Sequence, residues 1–212
     1  MTSAPEVWTV VVAGGAGTRF GAAKQYLAVG GRRILDRSVD VATSVSDGVV
    51  VVVPATDAAR EGGVPGGATR HDSVANGLAA VPPSATIVLV HDAARPFASA
   101  ALFRAVIDAV EAGADGAVPG LAVTDTIKRV DGGRVVETVP RDVLVAVQTP
   151  QAFRAGVLRA AHAAAVEASA TDDAALVEAI GGLVVVVPGE SGNRKITHPD
   201  DLVWAEQQVA SR

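Results

Sequence analysis

Arg19 and Lys24 lie in AGGAGTRFGAAK (13–24), directly after the apolar run WTVVV, where a simple reversal of the chain would not need both cations. Glycines allow close backbone approach and positive φ, so their N–H groups can wrap an anion. Arginine adds a planar fork of donors, and lysine a compact charge. Two familiar phosphate loops do not fit. A dinucleotide fingerprint needs G-x-G-x-x-G, but after Gly15 and Gly17 the third position falls on Phe20. A Walker loop ends in Gly-Lys-Ser/Thr, whereas two alanines separate Gly21 from Lys24 and Gln25 follows. Two readings remain: a nucleoside-triphosphate loop with Arg19 and Lys24 facing the phosphates, or a glycine-rich turn with two solvated cations.

HDAARPF (91–97) follows the apolar run ATIVLV, so Asp92 and Arg95 are expected beyond the carboxyl end of a strand, where open α/β sheets bind ligands. Asp92 suits Mg²⁺, which favours a carboxylate plus phosphate oxygens, although capping the turn is the alternative role. GGATRHDSVANGL (66–78) enters a helix near Asp72 and Ser73, and ordinary capping explains that pattern as well. The histidines at 71, 91, 162 and 198 lack metal-ligand spacing, and polar or capping roles are expected for them. Ser38 and Ser73 lack a nucleophile-elbow context, so triad hydrolysis has no support.

Five segments in order, 13–27, RHDSV (70–74), HDAARP (91–96), DTIKR through QTPQAF (125–153), and TDDA with GNRKIT (171–174, 192–197), resemble the 2-C-methyl-D-erythritol 4-phosphate cytidylyltransferase family. The resemblance runs from about Val10 to Val209. It implies a Rossmann-like α/β fold: an open, mostly parallel twisted sheet with helices on both faces and a projecting β-hairpin arm. It implies cytidylyl transfer from CTP to methylerythritol phosphate, with Mg²⁺ or another divalent cation. Ala13, Gly14, Gly15, Gly17, Arg19, Lys24, Gly67, Ser73 and Ala93 would surround the nucleotide. Asp92, Arg95, Thr126, Arg141, Thr149 and Lys195 would bind the acceptor, with Arg141 supplied by a partner subunit's arm. Arg19, Lys24, Arg141 and Lys195 would carry catalysis, while Arg194 is expected to point elsewhere. Ala68 stands where the family often has an acid, which would leave base recognition to backbone groups. Another nucleotidyltransferase, such as a ribitol 5-phosphate cytidylyltransferase, or a non-catalytic nucleotide-binding domain, is the competing reading.

These residues need a scaffold. VWTVVV (7–12), GVVVVV (48–53), ATIVLV (85–90), GAVPG (116–120) and LVVVV (183–187) read as strands whose continuous apolarity suits a parallel sheet covered on both faces. Helix stripes are expected at Leu35, Val39 and Ala42; Val74, Leu78 and Val81; Leu102, Val106 and Val110; and Phe153, Val157 and Ala161. Thr171 reads as an N-cap, and Thr197 or His198 as another before a last helix with Leu202, Ala205 and Val209. Around DGG, residues 124–150 read as a hairpin arm. A lone hairpin is marginal in water, so packing on a second copy, a homodimer, is expected. No repeat or second domain is evident, and residues 1–212 are expected to form one domain.

Composition narrows the partners. The 212 residues carry a net charge of −5, which gives no general attraction to nucleic acid or an anionic membrane. Any phosphate site must therefore be a local basic pocket. The absence of cysteine excludes disulfides, thiolate metal sites and cysteine nucleophiles. MTSAPEVW lacks a signal peptide's basic and apolar regions, and no apolar run approaches the ~20 residues of a membrane span; a soluble, cytoplasmic protein is expected.

Overall fold

Valine-rich runs without in/out alternation become the inner strands of one sheet. The computed structural model describes residues 4–15, 20, 23–165 and 171–210. Its first half holds β1 (Val7–Val12), a 3-10 turn (Lys24–Tyr26), β2 (Ala28–Val29), β3 (Arg32–Arg33), α1 (Ile34–Thr43) and β4 (Gly48–Val53). α2 (Ala58–Glu61), β5 (Val64–Pro65), α3 (Arg70–Ala80), β6 (Ile87–Asp92) and α4 (Ala100–Glu111) follow. Next come β7 (Gly116–Ala122), β8 (Ile127–Asp131), β9 (Arg134–Val139), a 3-10 turn (Arg141–Val143), β10 (Val145–Val147) and β11 (Gln151–Arg154). α5 (Ala155–Ala164), α6 (Asp173–Ala179), β12 (Val184–Pro188) and α7 (Asp200–Ala210) complete the chain.

Among the described residues the main sheet has eight strands in the order β10-β7-β11-β6-β1-β4-β5, with β12 also paired to β7. β10 and β11 both run antiparallel to β7, joined across a cis Thr149–Pro150 peptide, and β12 pairs with β7 in parallel. β1 lies between β6 and β4, parallel to both. The chain thus departs from β1 to one side and later returns to the other, which creates a switch point at the carboxyl ends of β1 and β6. Such crevices are where open α/β sheets hold ligands.

Successive strand residues point to opposite faces, and each face has its own core. Val11 and Leu89 pack with Leu35 of α1 and with Phe103 and Val106 of α4. Val10, Val52 and Val88 pack with Val74 and Leu78 of α3, Leu158 of α5 and Val177 of α6. Each fully buried side chain of this kind contributes about 1.5–3 kcal/mol of transfer free energy. A smaller core of Val29, Ile34, Phe97, Ile196 and Ala205 fastens α7 and the β2–β3 hairpin beside the switch point.

β8 and β9 form a separate two-stranded sheet. Gly132 (φ 50°) and Gly133 (φ 79°) supply the two left-handed positions that a type I′ hairpin turn requires. The arm's residues are largely exposed, among them Val130 and Val135.

Four boundaries differ from expectation. β6 runs on to Asp92 because β1 continues beside it, pairing Val12 with Asp92, so Asp92 ends the strand instead of following it. Phe153 belongs to β11, paired with Val88 and Gly116, and the helix begins only at Ala155. Asp172, not Thr171, caps α6, its carboxylate accepting from the Ala175 N–H at 3.0 Å. Val145–Val147 rejoin the main sheet as β10, which leaves a shorter arm than 124–150. Among the described residues no helix is long and apolar enough to cross a membrane.

Candidate nucleotide site

The switch point opens into a cavity of about 420 Å³. Ala13, Gly14, Gly15 and Lys24 line it from the segment after β1; Gly67 and Ser73 from the start of α3; Asp92 and Ala93 from the end of β6; and Lys195 from the loop before α7. Gly17 and Arg19 lie outside the described residues.

The entry to α3 is built from short-range bonds. The Thr69 hydroxyl accepts from the Asp72 N–H (3.1 Å) while the Asp72 carboxylate accepts from the Thr69 N–H (3.0 Å), a reciprocal capping box. Ser73 Oγ donates to the Thr69 carbonyl (2.9 Å) and accepts from the Gly67 N–H (3.1 Å). The hydroxyl proton of Ser73 is thereby used within the turn. A Cβ on Gly67 would come within 2.2 Å of Asp72 Cβ, so this turn has no room for a side chain. Gly67→Ala is expected to cost about 1–3 kcal/mol of stability through overpacking, read as a lower urea midpoint, and to weaken nucleotide binding measured by calorimetry.

The 189–197 loop is fixed at both ends. Glu190 accepts from the Ser99 N–H and hydroxyl at the start of α4, and Gln148 exchanges bonds with the Glu190 backbone. Buried Asn193 donates to the Thr149 carbonyl (2.8 Å) and accepts at its own carbonyl from Arg95 Nη1 (2.8 Å). The Ile196 N–H donates to the Ala94 carbonyl (2.8 Å), and Lys24 Nζ donates to the Ile196 carbonyl (2.7 Å). Lysines from opposite ends of the chain therefore share one wall.

Asp92 is the carboxylate of the cavity. Its Oδ2 accepts from Lys195 Nζ at 2.6 Å, and its Oδ1 lies 3.5 Å from Arg70 Nε. Burial alone would raise its pKa, but the Lys195 and Arg70 charges outweigh that and hold it below the usual carboxylate range. Asp92 is ionised throughout the physiological range. Its backbone N–H donates to Thr149 Oγ1 (3.0 Å), which also contacts His91 Nδ1 (3.2 Å). Burial lowers His91 to about 4, so its ring is neutral at physiological pH.

Four sequence-assigned acceptor residues do not line this cavity. Thr149 is buried behind Asp92, with its hydroxyl engaged as described. Arg95 is turned toward Asn193, and its Nε is buried without a hydrogen-bond partner among the described residues. Thr126 and Arg141 are exposed at the base of the arm, where Arg141 Nη1 donates to the Thr124 carbonyl (2.6 Å). Arg194 does point elsewhere, pairing with Asp201 (2.6 Å) and lying over the Trp204 ring. Arg70 also lines the cavity, although no spacing in the sequence points to a functional role for it. Its charge at the first position of a helix was visible, but its partner, Asp173, lies 103 residues away.

A family profile described as IspD, 2-C-methyl-D-erythritol 4-phosphate cytidylyltransferase, matches residues 7–211. The chain is 48% identical to a bifunctional enzyme IspD/IspF of Solidesulfovibrio magneticus, covering 96% of this chain and 57% of that protein. It is 44% identical to a 2-C-methyl-D-erythritol 4-phosphate cytidylyltransferase of Frankia casuarinae, over 98% of this chain and 83% of that one. The chain spans little more than half the length of the bifunctional relatives it matches. Among solved structures it resembles the 2-C-methyl-D-erythritol 4-phosphate cytidylyltransferase of Thermus thermophilus, with a TM-score of 0.82 at 39% identity over 95% of this chain and 98% of that one. It also resembles the 4-diphosphocytidyl-2C-methyl-D-erythritol synthase of Anaerococcus prevotii, with a TM-score of 0.85 at 31% identity over 97% and 99%.

Proposed function

The chain belongs to the 2-C-methyl-D-erythritol 4-phosphate cytidylyltransferase family, and from that premise we propose that it transfers a cytidylyl group from CTP to the phosphate of 2-C-methyl-D-erythritol 4-phosphate. The products are 4-diphosphocytidyl-2-C-methyl-D-erythritol and pyrophosphate. The observation that carries this reading is the convergence of Lys24, Lys195 and Asp92 on one cavity at the β1/β6 switch point. A phosphate oxygen of the acceptor attacks the α-phosphorus in line, the bond from that phosphorus to the bridging oxygen breaks, and pyrophosphate leaves with the electron pair. An ionised phosphate needs no strong general base, so alignment and charge stabilisation supply the rate.

Lys24, together with Arg19 of the same glycine-rich segment, stabilises charge on the departing pyrophosphate. Lys195 receives the acceptor phosphate. The buried, unpartnered Nε of Arg95 is a donor suited to the same anion. Asp92 fits a divalent ion held mainly by substrate oxygens: it is a single carboxylate, and its Oδ1, 3.5 Å from Arg70, keeps acceptor capacity. Bound there, Mg²⁺ would neutralise phosphate charge and polarise the α-phosphoryl group. Gly67 and Ala68 would present the turn before α3 to the base.

The exposed valines of the arm support association with a second copy, and Arg141, outside its own chain's cavity, would then reach the partner's site. Both proposed substrates are multiply charged and do not cross a bilayer unaided, which supports a cytoplasmic site of action.

Pyrophosphate release measured with CTP and methylerythritol phosphate, with and without Mg²⁺, tests the reaction. Release is expected with this pair and not with UTP, GTP or ATP. Turnover only with ribitol 5-phosphate or a sugar 1-phosphate would replace the acceptor assignment, and nucleotide binding without release would make the chain a non-catalytic binder.

A further inference from the structure

We propose that Asp173 is a positioning residue for Lys195: by drawing the Arg70 guanidinium into the protein, it keeps Asp92 available to the lysine. This rests on the reading of Lys195 given above. Asp173 is the first residue of α6, and its side chain is 1% exposed. Both its oxygens are engaged: Oδ2 accepts from Arg70 Nη1 at 2.8 Å, and Oδ1 meets His162 Nε2 at 3.0 Å. Its own place is fixed by the neighbouring residue, since Asp172 caps α6 and accepts from Gln151 Nε2 of β11 at 2.8 Å.

Two cations compete for one carboxylate on the cavity wall. Lys195 holds Asp92 at 2.6 Å while Arg70 stands off at 3.5 Å. Taken alone, the arginine is the stronger competitor, because its fork can grip a carboxylate with two parallel bonds where an ammonium offers a point charge. The observed order is reversed: Asp173 holds the guanidinium through Nη1 and draws it back, leaving the Nε side 3.5 Å from Asp92. Burial would lower the Arg70 pKa; Asp173 and then Asp92 outweigh that, so the guanidinium stays charged and divided between them. A buried ion pair is close to neutral for stability. Its effect here is to decide which cation occupies Asp92. His162 completes the second oxygen of Asp173, and no further charged partner of that carboxylate is found among the described residues.

Asp173→Asn keeps the shape and removes the charge. Arg70 should then turn to Asp92 and displace Lys195. Nitrogen-15 NMR of lysine ammonium groups, in the protein without substrates, reads this directly, with the Lys195 signal assigned by its loss in Lys195→Ala. The hydrogen-bonded Lys195 signal is expected to disappear in Asp173→Asn and to return in the Arg70→Gln/Asp173→Asn double variant, which removes both halves of the buried pair and is the better folded of the two. A Lys195 signal unchanged in folded Asp173→Asn, or absent from the double variant, overturns the proposal. In turnover, Asp173→Asn is expected to raise the acceptor KM about tenfold, the scale of one charge-assisted contact, with the CTP KM within twofold. Loss of the signal without any change in acceptor KM would uphold Asp173 as the group that places Lys195 and count against the acceptor-binding role given to that lysine.

Discussion

Replacing Lys24 with alanine is expected to lower turnover by roughly 10²–10³-fold, as for removal of one preorganised donor from a developing anion. The ammonium sits on the 3-10 turn after the glycine-rich segment, with Nζ bonded to the Ile196 carbonyl at 2.7 Å. It therefore stands at the cavity before any substrate arrives, and no reorganisation is needed during the reaction. The same bond ties the turn to the 192–197 loop, so alanine also removes a structural contact, at about 1.5–3 kcal/mol for a bond involving a charged group. The two effects separate with Lys24→Gln, whose amide can still donate toward Ile196 but carries no charge. If charge is what counts, glutamine is as slow as alanine while recovering part of the thermal stability. Lys24→Arg keeps the charge in a fork of different shape and should fall between the wild-type enzyme and the two uncharged variants. Pyrophosphate release under saturating CTP, with Tm measured on the same samples, checks all three. Near-normal turnover in a folded Lys24→Ala protein would mean that the glycine-rich segment is not a triphosphate cradle.

Periodicity in the sequence reached the scaffold because layer burial leaves a local trace. GVVVVV becomes β4 without adjustment, since a strand covered on both faces has no polar side to disguise it. Phe153 is ambiguous in the sequence because a buried aromatic fits a helix stripe and a sheet core equally well; its pairing with Val88 and Gly116 is a property of distant segments. The cavity was legible as a set of motifs, and its division of labour was not. Thr149 reads as a substrate contact in the sequence, and in the fold its hydroxyl also meets the Asp92 N–H and His91. Ser73 similarly spends its proton on Thr69. Whether a hydroxyl is already engaged depends on tertiary neighbours, which spacing along the chain does not encode. The Arg70–Asp173 pair is the extreme case: two residues at helix starts, each reading as an ordinary first-turn residue, that meet only when α3 and α6 pack on the same face.

Mixing Arg141→Ala subunits with Lys195→Ala subunits is expected to restore about a quarter of wild-type activity, although each variant alone should be depressed by roughly 10²-fold or more. Arg141 lies at the base of the arm, exposed and bonded to the Thr124 carbonyl, and it does not line the cavity that its own chain forms. An exposed arginine in such a place contributes little to its own fold. Its neighbours argue for a covered state: Val143 is 81% exposed and Val135 62%, with Val130 and Val136 beside them on the arm. A two-stranded hairpin carrying this apolar surface is marginal alone and would gain stability by lying against a second copy. In a two-fold dimer with shared sites, a mixed pair has one site with both residues intact and one with neither. Random mixing makes about half the dimers mixed, and half of their sites work, which gives the quarter. Size-exclusion chromatography with differently tagged chains must show that mixed dimers form. If they form and activity stays at the level of the single variants, Arg141 and Lys195 serve the same subunit or different tasks. If Arg141→Ala alone keeps full activity, the arm stabilises the dimer and contributes nothing to the acceptor site.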